Sequence, residues 1–369
     1  MKKASVGIFI LSILLLAIGL IIVMSASSTF SETKFDSTFR MFGSHVAKVA
    51  IGIICLLACT FIDYRLYKKI IKVGFLATVV LLVITLFIAS NVKGAGRWIH
   101  LGFFTFQPSD IAKYALIMYL AALIERKGDD IKDLKKGFLP CLVWILLVAG
   151  LVIIQPNVSN GALILGISLI VLFVGNAQWK HVAITGVIGI ACIALVILVY
   201  PHARARISSF ISPENNHQVQ QAIIGLGSGG LQGVGVGHSR QNNLFLPESY
   251  GDFIFAICGE ELGFIGSILI MSLFVLFFFL GLVIAKKAPD KFGQILAFGI
   301  SFTILVYACV NMAVASGAFP TTGLPLPFIS YGGTSTFVVC GATGILINIG
   351  IVNSAVLKAR AAQPAGAMR

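Results

Sequence analysis

Acidic side chains are scarce in this sequence: 14 Asp and Glu among 369 residues, against 27 Lys and Arg. Charged residues of all kinds make up 11% and hydrophobic ones 58%, with a mean hydropathy of +0.98. Soluble domains carry about 25% charged residues, so this chain lacks the polar cover for a water-facing surface. Histidine is also sparse. The 6 present show no metal-ligand spacing such as H-E-x-x-H, and His100, His202, His217 and His238 read as surface residues. The 7 cysteines lie in or beside apolar runs without zinc-type spacing or a disulfide framework, which leaves them as packing residues. A formal G-x-G-x-x-G at Gly225, Gly227 and Gly230 lacks the flanking strand and helix of a nucleotide-binding unit and is rejected as one. Its glycines suit a loop that folds tightly over the membrane surface or approaches a substrate closely.

What the chain has in quantity is long apolar runs. They fall near residues 6 to 26, 46 to 63, 72 to 89, 109 to 124, 138 to 155, 161 to 176, 181 to 200, 256 to 284, 292 to 314 and 335 to 353. A run of about 20 apolar residues crosses a bilayer as a helix, so the expected fold is an all-α polytopic transmembrane bundle of about ten spans, forming a single domain over residues 1–369. The first run follows Lys2 and Lys3 but is too long for a signal-peptide core and has no clear cleavage site after it, so it reads as a retained span.

Charge sets the expected topology. The loop 64–72 carries Arg65, Lys68, Lys69 and Lys72; the loop 125–137 carries Arg126, Lys127, Lys132, Lys135 and Lys136; Lys286, Lys287 and Lys291 follow span eight. With Lys2, Lys3, Lys180, Lys358, Arg360 and Arg369, 18 of the 27 basic residues fall on one side, which the positive-inside rule makes cytoplasmic. Both termini are then inside, with residues 355–369 as a cytoplasmic tail. The net charge of +13 is an orientation signal and a contact with anionic lipid, and no basic-aromatic surface for nucleic acid is visible. The opposite face receives the loop 90–108, a long loop within 201–255 between spans seven and eight, and GAFPTTGLPLPFISYGGTS. Loops of that length tend to be functional.

Few acids fall on that outer face: Glu32, Asp36, Asp110, Glu214, Glu248, Asp252, Glu260 and Glu261. Glu32 and Asp36 sit in a polar Ser/Thr-rich stretch, and Glu214, beside Pro213, reads as a turn residue. Asp252 differs because Phe253, Ile254 and Phe255 follow at once, so partial desolvation would raise its pKa toward that of a useful base. Two readings fit it: a helix-capping acid or a catalytic base. If a helix runs on from Asp252, Ala256, Gly259 and Gly263 share a face, suited either to close helix packing or to a lipid chain. In RWIHLGFFTFQPSDIAK, Pro108 and Asp110 suit a helix start, and Lys113 is spaced to pair with Asp110. That pair either ties a helix end, or Lys113 with Arg97 holds a diphosphate. Trp98 suits an interfacial anchor.

GVGVGHSRQNNLFLPESYGDFIFAICGEELGFIG, RWIHLGFFTFQPSDIAK and GAFPTTGLPLPFISYGGTS together resemble the SEDS family (shape, elongation, division and sporulation), with the FtsW branch closer than RodA. The resemblance covers nearly the whole chain. It implies a peptidoglycan glycosyltransferase that polymerises lipid II on the outer face of the bacterial cytoplasmic membrane, serving division, with undecaprenyl pyrophosphate leaving. By the same resemblance Asp252 is the catalytic residue, a divalent cation (Mg or Mn) is required, and the partners are the undecaprenyl-linked glycan, a class B penicillin-binding transpeptidase and other division or elongation proteins. Candidate substrate contacts are Lys113, Arg97, Trp98, Arg240, Glu248, Asp110 and Ser330. The chain departs from the family's usual LPEAHTDF at Ser249, Tyr250 and Gly251, from QPSE at Asp110, and from QPDLGTA at Asn157. Rival readings are a lipid II flippase and a scaffold that activates the transpeptidase.

Overall fold

The computed structural model describes residues 1–88, 90–92, 95–101, 104–212, 216–242 and 245–362. Three helices open the chain: α1 (Lys2–Phe35), α2 (Arg40–Phe61) and α3 (Tyr64–Ile88). Three short strands follow, β1 (Ser90–Val92), β2 (Ala95–Leu101) and β3 (Phe104–Phe106), then α4 (Pro108–Lys127), α5 (Leu139–Ile154), α6 (Val158–Val174) and α7 (Trp179–Val199). Two short helices, α8 (Pro201–Ile211) and α9 (His217–Ser228), precede the long α10 (Ile254–Lys287), α11 (Lys291–Ala315) and α12 (Thr334–Ala362). Among the described residues eight helical segments are long and apolar enough to cross a membrane: α1, α2, α3, α5 together with the helical turn before it (Leu134–Ile154, 21 residues), α7, α10, α11 and α12. The apolar α6 is shorter at 17 residues, and α4 carries Asp110, Lys113 and Glu125 along its length. The protein is an all-α multi-pass membrane bundle, and each expected apolar run lies on one of these ten helices.

Three expectations about loops are corrected. The segment 64–72 is helical: the Asp63 carboxylate accepts from Arg65 N at 2.9 Å and the Asn348 side chain accepts from Tyr64 N at 2.8 Å, so α3 starts before its basic residues. The stretch after span seven holds α8 and α9, whose starts are set by Pro201 at the first position and by Asn216, which accepts from Val219 N at 3.4 Å. Gly225 and Gly227 therefore lie in a helix. In place of a plain loop, β1, β2 and β3 pair antiparallel in the order β1-β2-β3, with Ser90 opposite Trp98 and Ile99 opposite Phe106. Residues 355–362 continue α12; Glu214 and residues 363–369 lie outside the described residues.

Both α1 and α10 run for 34 residues, about 50 Å of helix against a hydrocarbon layer of about 30 Å. Each uses the excess at the end that meets the loop 229–253. In α1 the excess is the polar stretch Ser25–Ser31. In α10 it is the turn pair before Gly263, whose φ of 71° and ψ of −168° break the helix. A side chain at Gly263 would come within 2.3 Å of Gly233 N, and one at Gly259 within 2.3 Å of Leu226. The small-residue face of α10 is thus filled by α9 and the glycine loop, the close-packing alternative, and holds no lipid chain there.

Candidate active site

The loop 229–242 is held against α10 by α10's own carboxylates and carbonyls. Glu260 and Glu261 are each 1% exposed. Glu260 accepts from Ser239 Oγ at 2.5 Å, Arg240 N at 2.9 Å and Gln241 N at 3.3 Å. Glu261 accepts from Ser25 Oγ of α1 and from Gly237 N at 3.1 Å. Val234 N and Gly235 N donate to the carbonyls of Glu260 and Glu261 at 3.0 and 3.1 Å. Asn242 reaches Ser25 O and Ser28 Oγ, and Ser249 Oγ donates to Ala26 O at 3.2 Å. Buried carboxylates need several donors to remain in place, and here those donors are three backbone N–H groups of the loop and the hydroxyls of Ser239 and Ser25. The SRQ segment is thereby a structural clasp. Arg240 lends its backbone N–H to it while its side chain is exposed.

Beyond the clasp, three consecutive carbonyls ending at Asp252 are each captured by the C-terminal part of the chain. Tyr250 O accepts from Tyr331 N at 2.9 Å, Gly251 O from Ser330 Oγ at 2.7 Å, and Asp252 O from Asn311 Nδ2 at 2.8 Å. Each anchor is itself fixed. Ser330 Oγ accepts from Leu326 N at 2.8 Å, and Asn311 Nδ2 also donates to Leu324 O at 2.8 Å. Glu248 initiates the turn with a φ of 59°, and its carbonyl accepts from Gly251 N at 2.9 Å. α10 begins only at Ile254, with Phe253 at the cap position and no side-chain cap. Asp252 therefore does not cap α10, and its backbone is clamped independently of the helix.

The Asp252 carboxylate faces a guanidinium across Gly323. A side chain on Gly323, whose φ is 73°, would lie 3.5 Å from Asp252 Oδ2 and 3.7 Å from Arg206 Nη2. The positive φ favours glycine there, and both charged groups lie within ordinary contact of that position. Arg206 projects from α8 and donates to Thr322 O at 3.0 Å. Burial lowers its pKa, and the negative charge of Asp252 opposes that shift. A carboxylate can accept a proton and a fixed guanidinium can meet negative charge, so the arrangement offers both.

Lys113 and Asp110 form a closed pair at 2.9 Å, each 5% exposed. The ammonium lies 4.2 Å from the Tyr307 ring centre, and the Tyr307 hydroxyl donates to Asn160, whose amide donates to Ser109 Oγ at 3.1 Å. Tyr307 and Asn311 are one turn apart on α11, so that helix links the pair to the Asp252 clamp over about 6 Å of axial rise. Trp98 lies half-buried on β2, while the Arg97 side chain lies outside the described residues. Ser330 is 2% exposed and spends its hydroxyl on the clamp.

Arg206 and Asn311 were not singled out from the sequence. A lone Asn in an otherwise apolar run was a signal for Asn311, since membrane-embedded polar groups have partners. For Arg206 the signal was weaker: an Arg-x-Arg pair in a loop that proved to be a helix.

Fold and site together define a multi-pass membrane protein with a fixed acid and a guanidinium at one end of its bundle. The family model of cell cycle proteins of the FtsW, RodA and SpoVE type matches residues 6–354, and the chain belongs to that family. Stage V sporulation protein E of Bacillus subtilis (strain 168) is 35% identical over 357 residues, covering 94% of this chain and 98% of that protein. A probable peptidoglycan glycosyltransferase FtsW of Trichlorobacter lovleyi is 35% identical over 349 residues, covering 93% and 92%. Among solved structures, a chain from a peptidoglycan synthase complex that coordinates polymerization and crosslinking has a TM-score of 0.78 at 23% identity, with 94% of this chain and 97% of that one covered. The rod shape determining protein RodA of Thermus thermophilus has a TM-score of 0.72 at 23% identity, with 94% and 96% covered. These structures share the fold.

Proposed function

We propose that this chain is a peptidoglycan glycosyltransferase that polymerises lipid II at the outer face of the bacterial cytoplasmic membrane. Relatives at about 35% identity bear that activity in their names, and the site has the chemistry for it. Asp252 takes the proton from the acceptor sugar's 4-hydroxyl, and the oxygen attacks the anomeric carbon of the donor. A glycosidic C–O bond forms as the anomeric carbon–phosphate oxygen bond breaks, and undecaprenyl pyrophosphate carries away the electron pair. Arg206 meets that developing charge, and the candidate contacts Arg97 and Trp98 belong to the same proposal. The observation that carries the reading is the Asp252 carboxylate beside Arg206, on a segment clamped by three successive carbonyl contacts.

A divalent cation belongs to the same proposal. Among the described residues no three His, Cys, Asp or Glu side chains converge into a closed cage. Magnesium is commonly held by one or two carboxylates completed by substrate phosphates, and Asp252 with a substrate diphosphate fits that donor set. Bound there, it would neutralise phosphate charge. Ten apolar helices support ten spans, and the skew of basic residues supports cytoplasmic termini, a topology with Asp252 outside. The recurrent FtsW relatives support a role in cell division, and the fold shared with a polymerizing and crosslinking complex supports a class B penicillin-binding transpeptidase as partner.

The test is purified full-length chain in bilayers with labelled lipid II, a divalent cation and the transpeptidase. Glycan polymer that persists with moenomycin and vanishes in Asp252→Ala supports the enzyme. Lipid II crossing the bilayer without polymer favours a flippase. Full cellular function of a normally expressed Asp252→Ala favours a scaffold.

A further inference from the structure

Two residues before Asp252, the half-buried ring of Tyr250 is braced by its neighbours. The Phe30 ring of α1 lies 5.3 Å away at 45°, and the Tyr331 ring lies 5.7 Å away, edge-on at 85°. Tyr331 is locked in turn. Lys48 of α2 donates to its hydroxyl at 3.0 Å and lies 4.2 Å from its ring centre, while the buried His45 ring stands 5.5 Å behind it. Burial, then Tyr331 and then the Asp252 charge hold the Tyr250 phenol above its ordinary pKa. Burial pushes the Tyr331 phenol up, but the Lys48 and Ser44 contacts outweigh it and its pKa is lowered.

The Tyr250 ring is therefore fixed in orientation, tied through its own carbonyl to the clamp, and left partly open. Such a ring is a rigid amphipathic contact surface with little rotamer freedom to lose on binding. A pyranose has the matching shape: C–H groups on its faces to lie on a ring and hydroxyls at its rim to meet a phenol. An interfacial anchor in lipid needs neither the edge-on brace nor the coupling to the acid.

We propose that Tyr250 is the surface on which the acceptor sugar is seated for attack, with Phe30, Tyr331 and Lys48 holding that ring in place. This rests on the reading that the substrate is a lipid-linked sugar. Tyr250 is a positioning residue: its ring sets the pose of the sugar whose hydroxyl Asp252 deprotonates.

The experiment has a kinetic arm and a binding arm. In the first, wild type, Tyr250→Phe and Tyr250→Ala are assayed as full-length chains against a lipid II titration. In the second, lipid II binding is measured on Asp252→Ala and on Asp252→Ala with Tyr250→Ala, where no turnover occurs. Expected are a KM raised about five- to tenfold in Tyr250→Ala, the worth of one aromatic contact, a KM within about twofold in Tyr250→Phe, and the same loss of affinity in the binding arm. Unchanged KM and affinity in Tyr250→Ala, or a fall in kcat with thermal midpoint alone, overturns the proposal. If wild type makes no polymer, the glycosyltransferase reading fails, and the binding arm still decides the sugar surface: weaker binding without the ring keeps it, equal binding removes it.

Discussion

Replacing Asn311 with Leu tests whether the clamp on Asp252 serves catalysis or only folding. The side chain is 1% exposed, and its amide makes two contacts of 2.8 Å, to the carbonyls of Asp252 and Leu324. Leucine has similar volume but no donor, so both carbonyls lose a partner, at about 1–3 kcal/mol each when buried. Stability should fall by about 2–6 kcal/mol on that basis. The anchors at Tyr250 O and Gly251 O remain, so the segment stays in place while its last residue pivots. A displacement of about 1 Å at a reacting group costs about 100-fold in rate, and kcat should fall about 10- to 100-fold with KM little changed. The assay is initial polymerisation rate at saturating lipid II, with the thermal midpoint measured in the same detergent. A lowered midpoint with wild-type kcat would refute the clamp as a catalytic device.

Arg206→Gln removes the positive charge beside Asp252, so the Asp252 pKa rises and its base form is lost at a higher pH. The acid limb of the rate–pH profile should move upward, whereas Arg206→Lys should hold it near its wild-type position; an unmoved limb in Arg206→Gln would separate the two charges. Lys113→Met leaves Asp110 buried and unpaired, at about 3–5 kcal/mol. Adding Asp110→Leu should restore part of that loss, and additive effects in the double-mutant cycle would mean that the pair is not coupled.

The membrane bundle was legible in the sequence because its signals are local. Apolar runs set the helices, and Asp252 stood out because Phe253, Ile254 and Phe255 follow a lone acid. The family motifs added the reaction class. What surrounds Asp252 was not legible, because the partners come from distant segments: Arg206 from α8, Asn311 from α11, Ser330 and Gly323 from the loop between α11 and α12. Hydrogen-bond partners of polar groups in apolar surroundings depend on which helices meet, and no periodicity reports that. The glycines were undecided for a related reason. The sequence left Gly263 open between close helix packing and a lipid chain, and the fold selects packing: Gly233 and Gly263 each permit the approach of the other's backbone. Lys113 showed its spacing to Asp110, and the fold added Tyr307 and Asn160, which enclose the pair.

Asp252→Asn is the most direct test of the proposed chemistry. It keeps the backbone clamp and nearly the same shape while removing the base. Purified wild type and Asp252→Asn are compared for glycan polymer and for lipid II binding at equal folding. A base at this position predicts polymer from wild type, a loss of at least about 100-fold in the variant, the scale of general base catalysis, and retained lipid II binding. Polymer formed at the wild-type rate by Asp252→Asn would contradict it.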